Sequence, residues 1–453
     1  MKIGIEVNKE KILAEIGPIL KKYYENLNNS KFIPGKSKVS IGWPIFDGSE
    51  TLSVFSSLLD MQLSQGPKVV EFERNFAGYE NVKFAVAVNS GSSANLLALA
   101  TLIESNEIKP GDEVIIPAAT FSTVASPIIQ LGLIPVYVDV EIDTFNIDPK
   151  EIEKAITQRT KVIMPVHTLG NPANMPVIKE IANKNNLKLI EDFCESPGAV
   201  TGCRRVGSFA DISTVSFFVA HNMTTGEGGM VFTSNPKYNK ILRSLREFGR
   251  FNEEGVGRFD YKDEILGNYD SRYFFDRLGF NVRMMDTTAA IGIEQLKKLD
   301  DMNHTRIQIS NQYKDCLEKY KKWVQIQKIP NESIHTYHGF PLAINKGAPF
   351  SRDEIVAFFE AQGIETRAFL GGCLPDQPAF RNKPHRVVGN LSVSRHLKDN
   401  AFFIGCHPAL STEAVNYVIN TFQKFFEKYE NQHIDTEKIE IKIPKTANYD
   451  IYG

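Results

Sequence analysis

An α/β architecture is what this sequence predicts: a mostly parallel central sheet covered by helices on both faces, with a smaller C-terminal α+β domain. Two observations predict it. From residue 82 onward, short apolar runs alternate with stretches of helical spacing, the pattern of β-α-β units. The length of 453 residues suits one large unit with a smaller appendage. In chain order, residues 1–45 read as an N-terminal helical arm. Ile12, Ile16, Ile19, Leu20 and Tyr23 recur there at near-helical spacing, and a loop with Pro34 and Gly35 follows. Residues 46–300 form the large domain, entered by a helix from Val69 to Tyr79. Strands are expected over 82–88, 113–116, 135–140, 161–166 and 187–190, and helices over 92–105, 122–130, 149–156 and 175–184. Short strands over 213–217 and 229–233 bracket a loop. Helices over 286–299 and 302–320 link this domain to a second one, 301–432. That domain holds strands near 339–344 and 365–368 and helices over 353–362 and 414–430. The tail, 433–453, mixes Lys, Glu, Ile and Pro and receives no placement.

Composition excludes several classes of function. The hydrophobic fraction of 42% and charged fraction of 23% are ordinary for a globular chain. The net charge is −2 with no basic block, which argues against a nucleic-acid partner. The segment Met1-Lys2-Ile3-Gly4-Ile5-Glu6 lacks the features of a signal peptide, and no apolar run is long enough to span a membrane. A cytoplasmic protein is expected. Cys194, Cys203, Cys316, Cys373 and Cys406 are scattered without Cys-x-x-Cys spacing. Free thiols are expected, and no metal site.

Several segments carry possible chemistry. In Asn89-Ser90-Gly91-Ser92-Ser93-Ala94-Asn95, between a strand and a helix, backbone N–H groups and small hydroxyls suit a phosphate; a simple helix cap also explains them. Asp192 ends an apolar strand, where a carboxylate can hold a cationic ring nitrogen or cap a helix. Phe121 follows the strand turn Pro117-Ala118-Ala119-Thr120, where it can be a stacking or a core aromatic. His221 sits in Ser216-Phe217-Phe218-Val219-Ala220-His221-Asn222-Met223-Thr224-Thr225-Gly226-Glu227-Gly228-Gly229.

This ordered set, over roughly residues 45–430, resembles the DegT/DnrJ/EryC1/StrS family of fold-type I proteins that use pyridoxal 5′-phosphate (PLP). The resemblance implies a fold-type I PLP-dependent aminotransferase-like fold. It implies that Gly91, Ser92, Ser93 and Ser216 hold the cofactor phosphate, that Phe121 stacks on its ring and that Asp192 pairs with its pyridine nitrogen. Glu195 stands where the family's aminotransferases usually carry a glutamine near the ring hydroxyl. Asn281, in Gly279-Phe280-Asn281-Val282-Arg283-Met284, resembles the asparagine that reaches the neighbouring subunit's phosphate, which implies a homodimer with a shared active site. His221 occupies the position of the lysine that anchors PLP. An imidazole cannot form that stable covalent link, yet it exchanges protons near neutral pH.

The histidine loop, together with His167-Thr168-Leu169-Gly170-Asn171 and Arg386-Val387-Val388-Gly389, is similar to the family's sugar 3-dehydratases, above all the CDP-4-keto-6-deoxyglucose 3-dehydratase branch. That branch carries an iron–sulfur cluster on four cysteines. Here Leu245-Arg246-Glu247-Phe248-Gly249-Arg250 is followed by Phe251-Asn252-Glu253-Glu254-Gly255-Val256-Gly257, without cysteine. Cys194 resembles one remaining ligand, and one thiolate cannot hold a cluster that needs four. No iron–sulfur cluster is therefore expected, and the cluster-free GDP-4-keto-6-deoxymannose 3-dehydratase is the nearer mechanistic likeness. The resemblance implies pyridoxamine phosphate (PMP) as working cofactor, an NDP-4-keto-6-deoxyhexose as substrate in deoxysugar and O-antigen biosynthesis, and glutamate as amino donor. A 4-keto sugar aminotransferase and a non-catalytic PLP-binding regulatory protein are the alternatives.

Overall fold

Eight strands form the central sheet of the computed structural model, which describes residues 8–251 and 262–431. The tail 433–453 and most of the cysteine-free loop, from Asn252 on, lie outside the described residues. The strand order is Phe84–Val88, Gly229–Thr233, Ile212–Ser216, Lys188–Asp192, Thr160–Ile163, Glu113–Pro117, Ile134–Val138 and Arg386–Val387. Gly229–Thr233 runs antiparallel to both neighbours, and the other pairings are parallel.

Side chains alternate across the sheet because successive strand residues point to opposite faces. Val86, Val114, Ile116, Val162, Ile190 and Ile212 pack on one face with the helices Gly91–Glu104, Ser122–Gln130 and Pro236–Arg246. On the other face, Ala85, Ala87, Val215 and Phe232 meet the helices Pro67–Tyr79 and Asp286–Leu317. Ile115, Val138, Ile163 and Leu189 meet Pro149–Ala155 and Met175–Lys184 there. Helix starts follow local chemistry. Asp148 caps the Lys150 N–H with Pro149 at the first helical position, and Asn174 caps Val177 with Pro176 just inside.

The expected elements appear with shifted ends, and three match without change: Ser122–Gln130, Met175–Lys184 and Gly229–Thr233. The two helices expected over 286–299 and 302–320 are one helix, Asp286–Leu317. The polar run around Asp300 and Asp301 reads as a break, but it holds no Gly or Pro to stop a helix. The buried row Leu299, Met302, Arg306, Ile309 and Tyr313 continues through it. The domain boundary drawn at residue 300 falls inside this helix.

Its later half joins the second core, where Val324–Ile326, Phe340–Ile344, Ala401–Ile404 and Thr366–Ala368 form an antiparallel sheet in that order. The strand Ala401–Ile404 was not among the expected elements. Phe359, Phe422, Phe425 and Phe426 fill this core, each stabilising it by about 1.5–3 kcal/mol through burial. Arg386–Val387 leaves it to pair with the large sheet, where the Arg386 guanidinium meets the buried Glu113 carboxylate at 2.8 and 3.2 Å. Among the described residues no helix is long and apolar enough to cross a membrane.

Candidate active site

Loops leaving the carboxyl ends of the parallel strands converge at one end of the sheet, where open α/β folds bind ligands. Asp192 closes the strand Lys188–Asp192 there and is almost wholly buried. Its Oδ1 accepts the Cys194 N–H at 3.0 Å, and its Oδ2 accepts from Asn95 Nδ2 at 2.9 Å. Thr214 Oγ1 donates to Asn95 Oδ1 at 2.6 Å, which leaves the amide NH2 to face the carboxylate. Sequence reasoning assigned Asn95 no role. The available signal was a polar side chain among Ala94, Leu97 and Ala98, all buried.

Glu195 lies beside Asp192. Its Oε2 accepts the Leu169 N–H at 2.7 Å, with Leu169 in the left-handed region at φ 54°. Burial pushes its pKa up to about 8; the Leu169 bond opposes the rise and the Asp192 charge adds to it. The raised pKa favours the protonated carboxyl, which can donate a hydrogen bond as a glutamine amide would.

Ser90 caps the helix Gly91–Glu104 by accepting the Ser93 N–H at 3.1 Å, and Ser93 Oγ donates to Asn89 Oδ1 at 2.7 Å. The Ser92 side chain is exposed in the first turn. A Cβ at Gly91 would sit 2.5 Å from Ser216 Cβ, and one at Gly229 would sit 2.4 Å from the Ser90 carbonyl oxygen. Only glycine at both positions lets the helix N-terminus, Ser216 and the returning strand meet. Cys194 occupies the same corner; burial, and then the Asp192 carboxylate, push its thiol well up. Phe121 precedes the helix Ser122–Gln130 and is 56% exposed, so its ring is available for stacking. Asn281 is exposed on the segment whose Val282 carbonyl accepts the Asn89 N–H at 2.9 Å.

His221 lies on the loop between Ile212–Ser216 and Gly229–Thr233. Thr225 N–H and Thr224 Oγ1 both donate to the Phe217 carbonyl at 3.0 Å, and Asn222 Nδ2 donates to Asn303 Oδ1 at 2.8 Å and to the Thr336 carbonyl at 2.9 Å. These bonds explain Asn222, Thr224 and Thr225 as a scaffold for the histidine. The imidazole is half-buried, with a buried Nδ1 that has no hydrogen-bond partner. Burial, and then the Arg306 guanidinium, push its pKa down to about 4. His338 lies alongside, its ring centroid 4.8 Å away. Neither Arg306 nor His338 was singled out in the sequence, because both are distant in the chain and belong to no motif.

The structure thus gathers Gly91, Ser93, Asp192, Glu195 and Ser216 into one connected corner. His221 stands with His338 and Arg306, while the side chains of Ser92, Phe121 and Asn281 are exposed.

The sequence model of the DegT/DnrJ/EryC1/StrS aminotransferase family matches residues 46–423. The dTDP-4-dehydro-2,6-dideoxy-D-glucose 3-dehydratase of Saccharopolyspora spinosa is 34% identical over 432 residues, 93% of this chain and 92% of its own. The GDP-perosamine synthase of Caulobacter vibrioides is 35% identical over 385 residues, 84% of this chain and 96% of its own. A crystal structure of GDP-4-keto-6-deoxymannose-3-dehydratase with a trapped PLP-glutamate geminal diamine is similar at a TM-score of 0.78 and 30% identity. That match covers 84% of this chain and 99% of the other.

Proposed function

The chain belongs to the DegT/DnrJ/EryC1/StrS aminotransferase family, and from that membership we propose a PMP-dependent 3-dehydratase that removes the C3 hydroxyl of an NDP-4-keto-6-deoxyhexose. The observation that carries the reading is His221: a half-buried imidazole held low in pKa, standing where a covalent anchor is expected.

The residues fit the cofactor. The glycine-lined corner at Gly91 and Ser216 suits a phosphate, the bare Phe121 ring suits stacking, and the buried Asp192 carboxylate suits a protonated ring nitrogen. When bound, the cofactor supplies a primary amine for the 4-keto carbon and a ring that takes up electrons. Asp192 would pair with the protonated ring nitrogen, and Glu195 in its protonated form would donate to the ring oxygen. His221 would act as neutral base toward the proton on the cofactor's amine-bearing carbon and would pass it to the C3 oxygen, which leaves as water; conversion of the cofactor's amine to its aldehyde would supply the two electrons of the net C3 deoxygenation, and glutamate would restore the amine. Burial and Arg306 hold this imidazole below the near-neutral range expected from the sequence, which makes it a weaker base in the first transfer and its imidazolium a stronger acid in the second. Glutamate is the proposed amino donor, in keeping with the adduct in the solved relative. A second copy of the chain completes the site through Asn281. No iron–sulfur cluster takes part.

Amine transfer is the second reading, favoured by the family description and by the similarity to GDP-perosamine synthase. A panel of NDP-4-keto-6-deoxyhexoses with PMP-loaded protein separates the two. The expected product is the substrate short of one oxygen atom; a 4-amino sugar overturns the proposal. Binding of cofactor with no turnover of any sugar leaves the regulatory reading. Reduction of the PLP-loaded protein with borohydride is expected to leave no pyridoxyl adduct on any lysine by mass spectrometry.

Glu195 gives a pH prediction with a fixed sign. Its raised pKa means that it loses its proton as pH rises through about 8. PLP affinity is therefore expected to weaken above that pH in the wild type and to stay level in Glu195→Gln, read by cofactor fluorescence titration. Parallel decline in both proteins assigns the effect elsewhere.

A further inference from the structure

His221 makes no hydrogen bond through Nδ1, so some other contact has to hold its ring. The rings of His221 and His338 approach to 4.8 Å between centroids at an interplanar angle of 41°, and Phe218 meets His221 edge-on at 6.3 Å. His338 is half-buried, and its own Nδ1 is also buried without a partner. The contact is therefore ring against ring.

His338 is itself firmly held. Its N–H donates to the Leu169 carbonyl at 3.0 Å, and the Thr336 N–H donates to the Gly170 carbonyl at 3.0 Å. Arg306 Nη1 donates to the Tyr337 carbonyl at 3.1 Å and to the His338 carbonyl at 3.2 Å. Gly170, at φ 97°, permits the approach, because a Cβ there would lie 2.5 Å from the Tyr337 nitrogen. Leu169 thus bonds Glu195 through its N–H and His338 through its carbonyl, so one residue sets both sides of the site. This gives the His167-Thr168-Leu169-Gly170-Asn171 segment a physical task.

We infer that His338 is the positioning residue for His221: its ring is the wall that fixes the imidazole in its proton-exchanging orientation and keeps water off its buried side. The inference rests on the reading of His221 as the base. The charged and titratable groups around the pair are Arg306 from the helix Asp286–Leu317, and Cys406 and His407 from the segment after Ala401–Ile404, both of which interact with Arg306. Among the described residues Arg306 is the fixed charge that acts on His221, and it opposes a standing imidazolium. Without the wall, water reaches the ring, the imidazolium is solvated and the ring turns.

The test compares wild type, His338→Ala and His338→Phe as PMP-loaded proteins. In His338→Ala, kcat is expected to fall about 10²-fold, the usual effect of a catalytic group misplaced by about 1 Å, with KM for the sugar and PMP affinity unchanged. Its rate is expected to decline between about pH 7 and about pH 5, as an ordinary imidazole titrates, while the wild-type rate stays level. His338→Phe keeps the wall and is expected to restore most of the rate and the level profile. Wild-type kcat and profile in His338→Ala overturn the inference, as does a Phe variant that behaves like the Ala variant. Titration of the His221 Cε1–H signal in carbon-labelled histidine protein provides a readout that needs no turnover. A midpoint raised in His338→Ala supports the wall, and an unchanged midpoint overturns it. If the wild type deoxygenates no sugar of the panel, the functional reading fails and this titration alone decides the inference.

Discussion

His221→Asn is expected to lower dehydration by roughly 10²–10⁴-fold, the contribution of a positioned general base, while leaving cofactor affinity close to wild type. The reason lies in how the site is divided. The cofactor contacts proposed for Asp192, Phe121, Ser216 and the helix N-terminus belong to a different set of elements from the loop that carries residue 221. An asparagine fits the half-buried position and removes only the proton exchange. His221→Lys separates the roles further. It restores a primary amine at the anchor position, so borohydride should now fix a pyridoxyl group on the protein, deoxygenation should be suppressed and some amine transfer from glutamate should emerge. Stopped-flow absorbance and product mass read both variants. Near wild-type deoxygenation in either reduces His221 to a space-filling residue.

Asp192→Asn is expected to be nearly as costly, and through two effects at once. The carboxylate accepts from both Asn95 and the Cys194 N–H, so an amide in its place must turn one NH2 toward a donor. Leaving a buried donor unpaired costs about 1–3 kcal/mol, visible as a lower melting temperature of the cofactor-free protein. The amide also cannot hold a protonated ring nitrogen, so turnover should fall by about 10²-fold or more even at saturating cofactor, in line with losing one electrostatic contact in a preorganised site. Asn95→Asp tests the same network from the other side, by setting two carboxylates against each other. Full turnover in Asp192→Asn removes this residue from the chemistry.

The large sheet was legible because its strands are buried and, from Phe84–Val88 to Lys188–Asp192, successive strands are separated by a helix. Strand and helix signals there reinforce each other. The helix Asp286–Leu317 was misread because a polar stretch on the chain is buried in space: Asn303 donates to the Pro197 carbonyl at 2.9 Å and accepts from Asn222, partners more than eighty residues away. Ala401–Ile404 escaped notice since four residues between a helix and a loop carry little periodicity. The corner at Gly91, Asp192 and Ser216 was readable from motif order. The pairing of His221 with His338 was not, because a ring contact across 117 positions leaves no local pattern, and neither does the orientation of Asn95 by Thr214.

The 32-residue helix Asp286–Leu317 is about 48 Å long at 1.5 Å per residue. Its first half is packed into the large sheet's core and its second into the small one, with Arg306 between the two. A beam bolted into both halves of a machine removes the hinge. Rotation of the small core against the large one would require this helix to bend where Asn303 and Arg306 are pinned. The imidazole pair and the carboxylate corner are tied by the same strut, through Leu169 on one side and Arg306 on the other.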